Sequence, residues 1–319
     1  MARAIIGIVS IGDMGLGIAK LLKAHGFRVV TNATGRSAAT LQRARENSIE
    51  LVADDLELCN TVDIILSILP PAFAVTLAEN VVTASNCPDF DRRGKALCYL
   101  DLNAISPARA RHIEELLTHG SSHIKFIDGG IIGAPPKLQE NGTWRVPSIP
   151  LSGPIRLSDA VDDGEQITKI LNARTISPTV GTASGLKMCF ASLSKGFTAL
   201  AIQSYSTASN LGVLAELQAE LDTFSPGVRT RAENGLVSMP PKAYRWVDEM
   251  REIAATFELD GGFSQQESPF RGIAEVYDLV ANDTVLRNEK VGQRSRGQTA
   301  EDVASLITEG TRKRKEKSD

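Results

Sequence analysis

The chain has 319 residues, with 35 basic against 38 acidic side chains, 42% hydrophobic and 5% aromatic residues, and a formal charge of −3. A slightly acidic chain lacks the concentrated positive face that phosphate backbones demand, and no run approaches the ~18–20 apolar residues of a membrane span, so neither nucleic acid nor a membrane is expected as a partner. At roughly 100–200 residues per domain, the length gives two domains, each large enough to bury a core without disulfides or structural metal.

The N-terminal apolar run Ala4–Ile11 ends in Gly12-Asp13 instead of a signal-peptide cleavage pattern, which points to a cytoplasmic protein. Over the first 180 residues, short β-branched runs alternate with amphipathic segments. Strands are predicted at Ala4–Ser10, Arg28–Thr31, Ile64–Leu69, Ala96–Asp101, Ile124–Ile127 and Ile149–Ser152. Helices are predicted near Gly15–Ala24, Ala38–Arg45, Phe73–Val82 and Pro107–His119. Such alternation specifies an α/β fold, a doubly wound and mostly parallel sheet covered by helices on both faces.

Beyond residue 181 the β signal stops, and an all-α domain is predicted from helices at Ala183–Ser209, Val213–Phe224, Val228–Leu236, Pro241–Phe257, Gln265–Asn282 and Ala300–Glu309. Ser177-Pro178 and Gly181 mark the junction, because proline and glycine end the preceding αβ unit. The expected layout is therefore a cofactor-binding domain over 1–180, a helical domain over 181–310 and a disordered basic tail over 311–319, which carries Arg312, Lys313, Arg314, Lys315 and Lys317. Cys59, Cys87, Cys98 and Cys189 have no C-x-x-C spacing and no neighbouring histidine pair. They read as buried free thiols, and no metal site is expected. The sequons at Asn141 and Asn282 carry little meaning in such a chain.

The first strand runs into Ser10-Ile-Gly12-Asp13-Met14-Gly15 and then a helix. A strand, a glycine turn and a helix N-terminus bring backbone N–H groups and a positive dipole end to a pyrophosphate, which points to a dinucleotide. The G-x-G-x-x-G pattern has lost its first glycine, and Ser10 is expected to fill that place with ordinary backbone angles. Twenty residues after Gly12 stands Asn32, where an NAD site usually has a carboxylate for the ribose hydroxyls. Asn32, Thr34, Arg36 and Ser37 offer hydrogen-bond donors for a 2′-phosphate instead, Arg36 with a charge, so NADP(H) is the expected cofactor; the competing reading is a solvated loop.

The helix Gly185–Ile202 is apolar or small apart from Lys187, Lys195 and a few hydroxyls, so it is expected to be buried on most sides. Its two lysines share one face, about 12 Å apart along the axis. Burying an ammonium group without a partner is costly, so these lysines either reach solvent or serve a site. The functional reading places Lys187 at the nicotinamide, relaying a proton to or from the group that hydride transfer leaves charged.

Together these motifs resemble the β-hydroxyacid dehydrogenase superfamily, which includes 6-phosphogluconate and 3-hydroxyisobutyrate dehydrogenases, and within it a branch with a short helical C-terminal domain. Leu186-Lys187-Met188, Ser194-Lys195-Gly196 and Asp260-Gly261-Gly262-Phe263 are similar to that branch. The resemblance implies cofactor contacts from Gly12, Asp13, Met14, Gly15, Leu69, Pro70 and Asn103. It also implies a substrate loop at Gly129-Gly130, a catalytic lysine at Lys187, an active site between the domains and a homodimer formed through the helical domain.

The family's D-x-S-T stretch reads Asp101-Leu102-Asn103-Ala104, and its K-x-x-N/H-N signature reads Lys187-Met188-Cys189-Phe190-Ala191. The lysine is kept and the polar positions after it are lost, so an ordinary 3-hydroxy acid is not the expected substrate. Asn103 then serves catalysis by bonding a carbonyl or the nicotinamide amide, or it caps a strand end. Ser192 and Lys195 are candidates for binding the substrate anion.

Relatives that reduce imines often lack the lysine, so its presence favours a small hydroxy-acid or carbonyl substrate. The alternatives are an imine reductase, with Tyr205, Tyr244 or Asp248 as proton source, and a non-catalytic NADP(H)-binding protein. The helical half contains Met250 and, of the chain's few aromatics, Tyr244, Trp246 and Phe263, which agrees with a dimer through that domain, although core packing is the expected role of each.

Overall fold

The computed structural model describes residues 3–92, 94–289 and 294–316, and the chain divides into two compact units, 1–188 and 189–319. In the first unit the strands are β1 (Ile5–Val9), β2 (Arg28–Asn32), β3 (Glu50–Val52), β4 (Ile64–Ser67), β5 (Leu97–Asp101), β6 (Ile124–Gly129), β7 (Lys137–Leu138), β8 (Trp144–Arg145), β9 (Ile149–Ser152) and β10 (Ala173–Ser177). The helices are α1 (Asp13–Ala24), α2 (Ala38–Glu46), α3 (Asp55–Thr61), α4 (Ala74–Ser85), α5 (Pro107–Gly120), α6 (Leu157–Ala160) and α7 (Gly164–Ile170), and α8 (Thr182–Leu211) begins here. Eight strands form one sheet in the order β10-β9-β6-β5-β4-β1-β2-β3, and β7 and β8 form a separate hairpin. All neighbours in the sheet run parallel except β6 and β9. The strand order reverses at β1, which places a crevice at the carboxyl ends of β1 and β4, the usual ligand position in open α/β sheets.

Side chains alternate between the two faces, and both faces are covered. Ile6, Ile8, Ile64, Leu66, Cys98, Leu100 and Ile127 pack on one side with Ile18, Leu21 and Leu22 of α1. Val9, Ile65, Leu97, Tyr99 and Phe126 pack on the other with Leu77 and Val81 of α4 and Ile113 and Leu117 of α5. Period-two alternation of apolar residues therefore serves two buried layers, which is why the strand runs read as nearly continuous hydrophobic stretches.

The unit boundary falls after Met188, inside α8, and not at residue 180. The reason is local: the backbone amides of Gly181, Ala183 and Ser184 are hydrogen-bonded to side chains of β6 and β9, so the first turns of α8 belong with the sheet.

The second unit contains the remainder of α8, then α9 (Leu214–Phe224), α10 (Pro226–Ser238), α11 (Ala243–Ala255), a π-helical turn (Thr256–Asp260), α12 (Phe270–Asn282) and α13 (Ala300–Glu316). Its core includes Leu236, Met250, Ile253, Tyr277, Val280, Val303 and Ile307, all buried. Trp246 stands edge-on to Tyr277 with ring centroids 5.2 Å apart, an aromatic arrangement that adds to their burial. Tyr244 and Phe263 are exposed. No described helix is long and apolar enough to cross a membrane.

Three expectations are corrected. Residues 311–316 are helical, because Arg314 on α13 pairs with Asp278 and, at 2.7 Å, with Asp283; Lys317 and the two residues after it lie outside the described residues. Only Cys59 and Cys98 are buried, and burial pushes both thiols up to about 12; Cys87 is half-buried and Cys189 exposed. Finally, α8 is not buried on most sides. Leu186, Phe190, Leu193 and Leu200 are 38%, 49%, 73% and 59% exposed, so its apolar residues form a surface stripe.

Candidate active site

The glycine turn lies between β1 and α1. An added Cβ at Gly15 would stand 2.1 Å from the Ser10 carbonyl oxygen, so only glycine lets α1 start this close to β1. At Gly12 an added Cβ meets nothing within 4 Å, and no side chain caps the N-terminus of α1. Its first amides are therefore free of side-chain competition for an anion. Asp13 is exposed at this end, and Met14 packs its side chain against the core. Arg43 of α2 braces the turn by donating to the Ile11 carbonyl at 3.0 Å.

Ser10 departs from expectation: its φ is +73°. The turn keeps the left-handed geometry of the missing glycine, and a residue with a Cβ tolerates it at a cost of about 1–2 kcal/mol.

At the end of β2, Asn32 is buried. Its carbonyl accepts from the Thr34 amide at 2.6 Å, and its amide donates to Asp55 at the start of α3. The Thr34 hydroxyl donates to the Ala53 carbonyl. These two side chains thus shape the loop as well as line it. Ser37 caps α2 by accepting from the Thr40 amide. Arg36 Nε is buried without a hydrogen-bond partner, so one donor of its guanidinium is unused. An uncapped helix start behind an open glycine fits the pyrophosphate of a dinucleotide. Asp55 was not legible as part of this region, because its chain position after a three-residue strand gives no hint that β3 lies beside β2.

Across the sheet, the strand ends are tied together. Asn103 is 2% exposed; its amide donates to Ser67 Oγ at 2.7 Å and to Asp101 Oδ2 at 2.9 Å, and its carbonyl accepts from the Leu69 amide at 2.5 Å. Both amide hydrogens are used, so Asn103 holds the Leu69-Pro70 loop against β5, the strand-end role. Asp101 is fully buried, and burial raises its carboxyl to about 7, with the neighbouring Asp128 charge adding to the rise and the Asn103 donations opposing it.

Gly129 and Gly130 are buried too, and their missing side chains serve packing. An added Cβ at Gly129 would meet Leu102 at 2.8 Å and Leu151 at 2.9 Å, and at Gly130 it would meet Lys187 Cβ at 2.8 Å. Lys187 is half-buried, and its Nζ donates to the Ile131 carbonyl at 2.5 Å. The structure thus brings Lys187 to the end of β6, in the same unit as the glycine turn, the Leu69-Pro70 loop and Asn103.

Ser192 and Lys195 lie in the second unit. Ser192 Oγ donates back to the Cys189 carbonyl at 2.8 Å. Lys195 forms an ion pair with Glu249, both side chains nearly buried, and its Nζ lies 5.4 Å from the centroid of the Trp246 ring. Tyr205 is buried in that unit, Tyr244 is 67% exposed, and Asp248 pairs with Arg251 at 3.0 Å.

Residues 5–145 match the NAD binding domain of 6-phosphogluconate dehydrogenase, and residues 208–280 match a domain of unknown function, DUF1932. An uncharacterized 28.5 kDa protein of Methanothermus fervidus is 24% identical over 219 residues, 66% of this chain and 74% of that protein. Among solved structures, 3-hydroxyisobutyrate dehydrogenase of Mycobacterium tuberculosis, determined with L-serine, aligns with a TM-score of 0.62 at 13% identity, over 96% of this chain and 98% of its own. An imine reductase from Myxococcus stipitatus in complex with NADP+ aligns with a TM-score of 0.51 at 16% identity, over 95% and 99%. The chain thus carries a stretch that matches the NAD binding domain of 6-phosphogluconate dehydrogenase and a later one that matches DUF1932, and it shares its fold with 3-hydroxyisobutyrate dehydrogenase.

Proposed function

We propose that this protein is an NADP(H)-dependent oxidoreductase acting on a small carbonyl or hydroxy-acid substrate, with Lys187 as general acid in reduction and general base in oxidation. The observation that carries the reading is Lys187 Nζ, held 2.5 Å from the Ile131 carbonyl at the end of β6, in the unit that also carries the glycine turn. When bound, the cofactor supplies or accepts the hydride. Gly12, Met14 and Gly15 would hold its pyrophosphate, Arg36 and Ser37 the 2′-phosphate, and the Leu69-Pro70 loop its nicotinamide half. Lys187 gives a proton to the carbonyl oxygen on reduction and takes it from the hydroxyl on oxidation. Asn103 acts at one remove, by fixing the Leu69 amide and β5.

Replacing Lys187 by Met keeps the stem and removes the proton. NADPH oxidation over a panel of aldehyde and keto acids is expected to fall by about 10²–10⁴-fold, with NADPH affinity from fluorescence titration unchanged. Turnover within about tenfold of wild type would remove Lys187 from the chemistry.

The reading includes a homodimer through the helical part. Leu186, Phe190, Leu193, Phe197 and Leu200 recur at alternating spacings of four and three along α8, the seam pattern of paired helices, and four of them are substantially exposed. A stripe on one helix is self-complementary about a two-fold axis. Light scattering is expected to give twice the 34.2 kDa chain mass, and Leu193→Glu a monomer. A monomeric wild type would overturn this part.

A further inference from the structure

Near the carboxyl ends of β4, β5, β6, β9 and β10 lies one registered row of polar residues: Ser67 opposite Asp101, Asp101 opposite Asp128, Asp128 opposite Ser152 and Ser152 opposite Ser177. Asp128 is the hub. It is fully buried and accepts from Ser152 Oγ at 2.7 Å, Ser184 Oγ at 2.5 Å, the Gly181 amide at 2.9 Å and the Ser184 amide at 3.2 Å. Ser152 Oγ accepts in turn from the Ala183 amide at 2.9 Å. The first amides of a helix have no partner within it. Here they end on two neighbouring strands of the sheet, whereas α2 and α5 are capped by their own Ser37 and Ser106.

A cap from the preceding residue satisfies a helix but leaves its rotation free. A cap from a separate strand fixes the helix to that strand. The same β6 segment continues through Gly130, packed on Lys187 Cβ, to Ile131, whose carbonyl takes the Lys187 ammonium. Residues 181–187 are thus gripped at both ends by 128–131.

We propose that Asp128, with Ser152 and Ser184, is the positioning device for Lys187, setting the rotation and axial placement of α8 that hold Nζ at the Ile131 carbonyl. Its catalytic consequence rests on the function proposed above; the positioning itself does not, and is tested without turnover. Asp128→Asn presents N–H donors to groups that are themselves donors and breaks at least part of the grip. Ser184→Ala removes one hydroxyl donor, and Ser184→Thr keeps it.

The intact proteins are acetylated briefly with acetic anhydride, and labelling of Lys187 is measured by mass spectrometry relative to Lys195, whose ion pair with Glu249 lies in the second unit. The Lys187 to Lys195 ratio is expected to rise by about tenfold in Asp128→Asn, the worth of about one lost hydrogen bond. It is expected to rise less in Ser184→Ala and to return to the wild-type value in Ser184→Thr. A ratio within about twofold of wild type in both Asp128→Asn and Ser184→Ala overturns the proposal. So does a rise of both lysines together, the mark of general loosening. If Asp128→Asn does not fold, the Ser184 pair decides. Retained turnover in Lys187→Met would remove the functional reading without moving this ratio, and an unmoved ratio would remove the positioning device without touching that reading.

Discussion

The two ends of the sheet's carboxyl edge are built on opposite plans. Around β5, β6 and the start of α8, Asp101, Asn103 and Asp128 are fully buried and hydrogen-bonded, so the geometry is set before any ligand arrives. Around the end of β2, Thr34, Gly35 and Ser37 are exposed, and Arg36 Nε has no partner. On the function proposed above, protons and hydrides would move at that end, where position matters to within about an ångström, and there the protein itself holds the geometry. The other end would, on the same proposal, recognise a phosphate, which needs donors left available.

The largest effect expected from breaking this contrast is on the open side. Arg36→Ala removes a charge-assisted contact and is expected to weaken NADPH binding by about 10- to 100-fold while leaving NADH nearly unchanged. Asp55 pulls the other way: its carboxylate reaches Asn32 and disfavours a second anion nearby. Asp55→Asn is therefore expected to raise the NADPH to NADH preference. Titration of both cofactors against both variants checks the pair. Equal affinities for NADPH and NADH in the wild type, or no change with either variant, would mean that the open side does not select the phosphate.

The two plans also differ in how much of them the sequence discloses. The six main strand runs and the first four long helices are legible because both faces of the sheet are apolar, so nothing interrupts the β-branched runs until Ser67, Asp101, Asp128 and Ser152 end them. Those polar endings were a readable signal for the closed side. Their partners were not, since no local pattern says that Ser184 turns back to Asp128, 56 residues earlier. β10 was missed because it is an edge strand of polar, partly exposed residues, and β3 because it is only three residues long. α3 was missed although Asp54 and Glu57 bracket its start, Asp54 accepting from the Glu57 amide and Glu57 from the Ala53 amide, a close variant of the capping box. On the open side the sequence displays the donors, and the structure adds that Asn32 and Thr34 also shape the loop.

A second prediction probes the closed side through pH. Burial, first of all, lifts the Asp101 carboxyl from an ordinary 3.8 to about 7. The folded protein therefore holds this proton across a range where the unfolded chain has released it. Stability must fall as pH rises between those values, with a slope of up to about 1.4 kcal/mol per pH unit from this group. Asp128, also pushed up by burial, contributes with the same sign. Asp101→Asn cannot titrate, so denaturant midpoints measured from pH 4 to pH 7 are expected to fall less steeply than in the wild type. An unchanged slope would mean that this buried acid does not govern the pH dependence of the closed side.

The smallest effect concerns the turn that joins the two plans. Ser10 holds φ at +73°, a conformation that costs a residue with a Cβ about 1–2 kcal/mol and glycine almost nothing. Glycine gives part of this back, because its unfolded chain has more freedom to lose. Ser10→Gly is therefore expected to stabilise the protein by about 0.5–1 kcal/mol in urea denaturation, with NADPH affinity unchanged. The sign is what matters. If Ser10→Gly instead destabilised the protein or weakened NADPH binding, the serine hydroxyl would be holding the turn or the cofactor. The turn would then belong with the closed side, held by side-chain bonds made before any ligand arrives, and not with the side whose donors are left open.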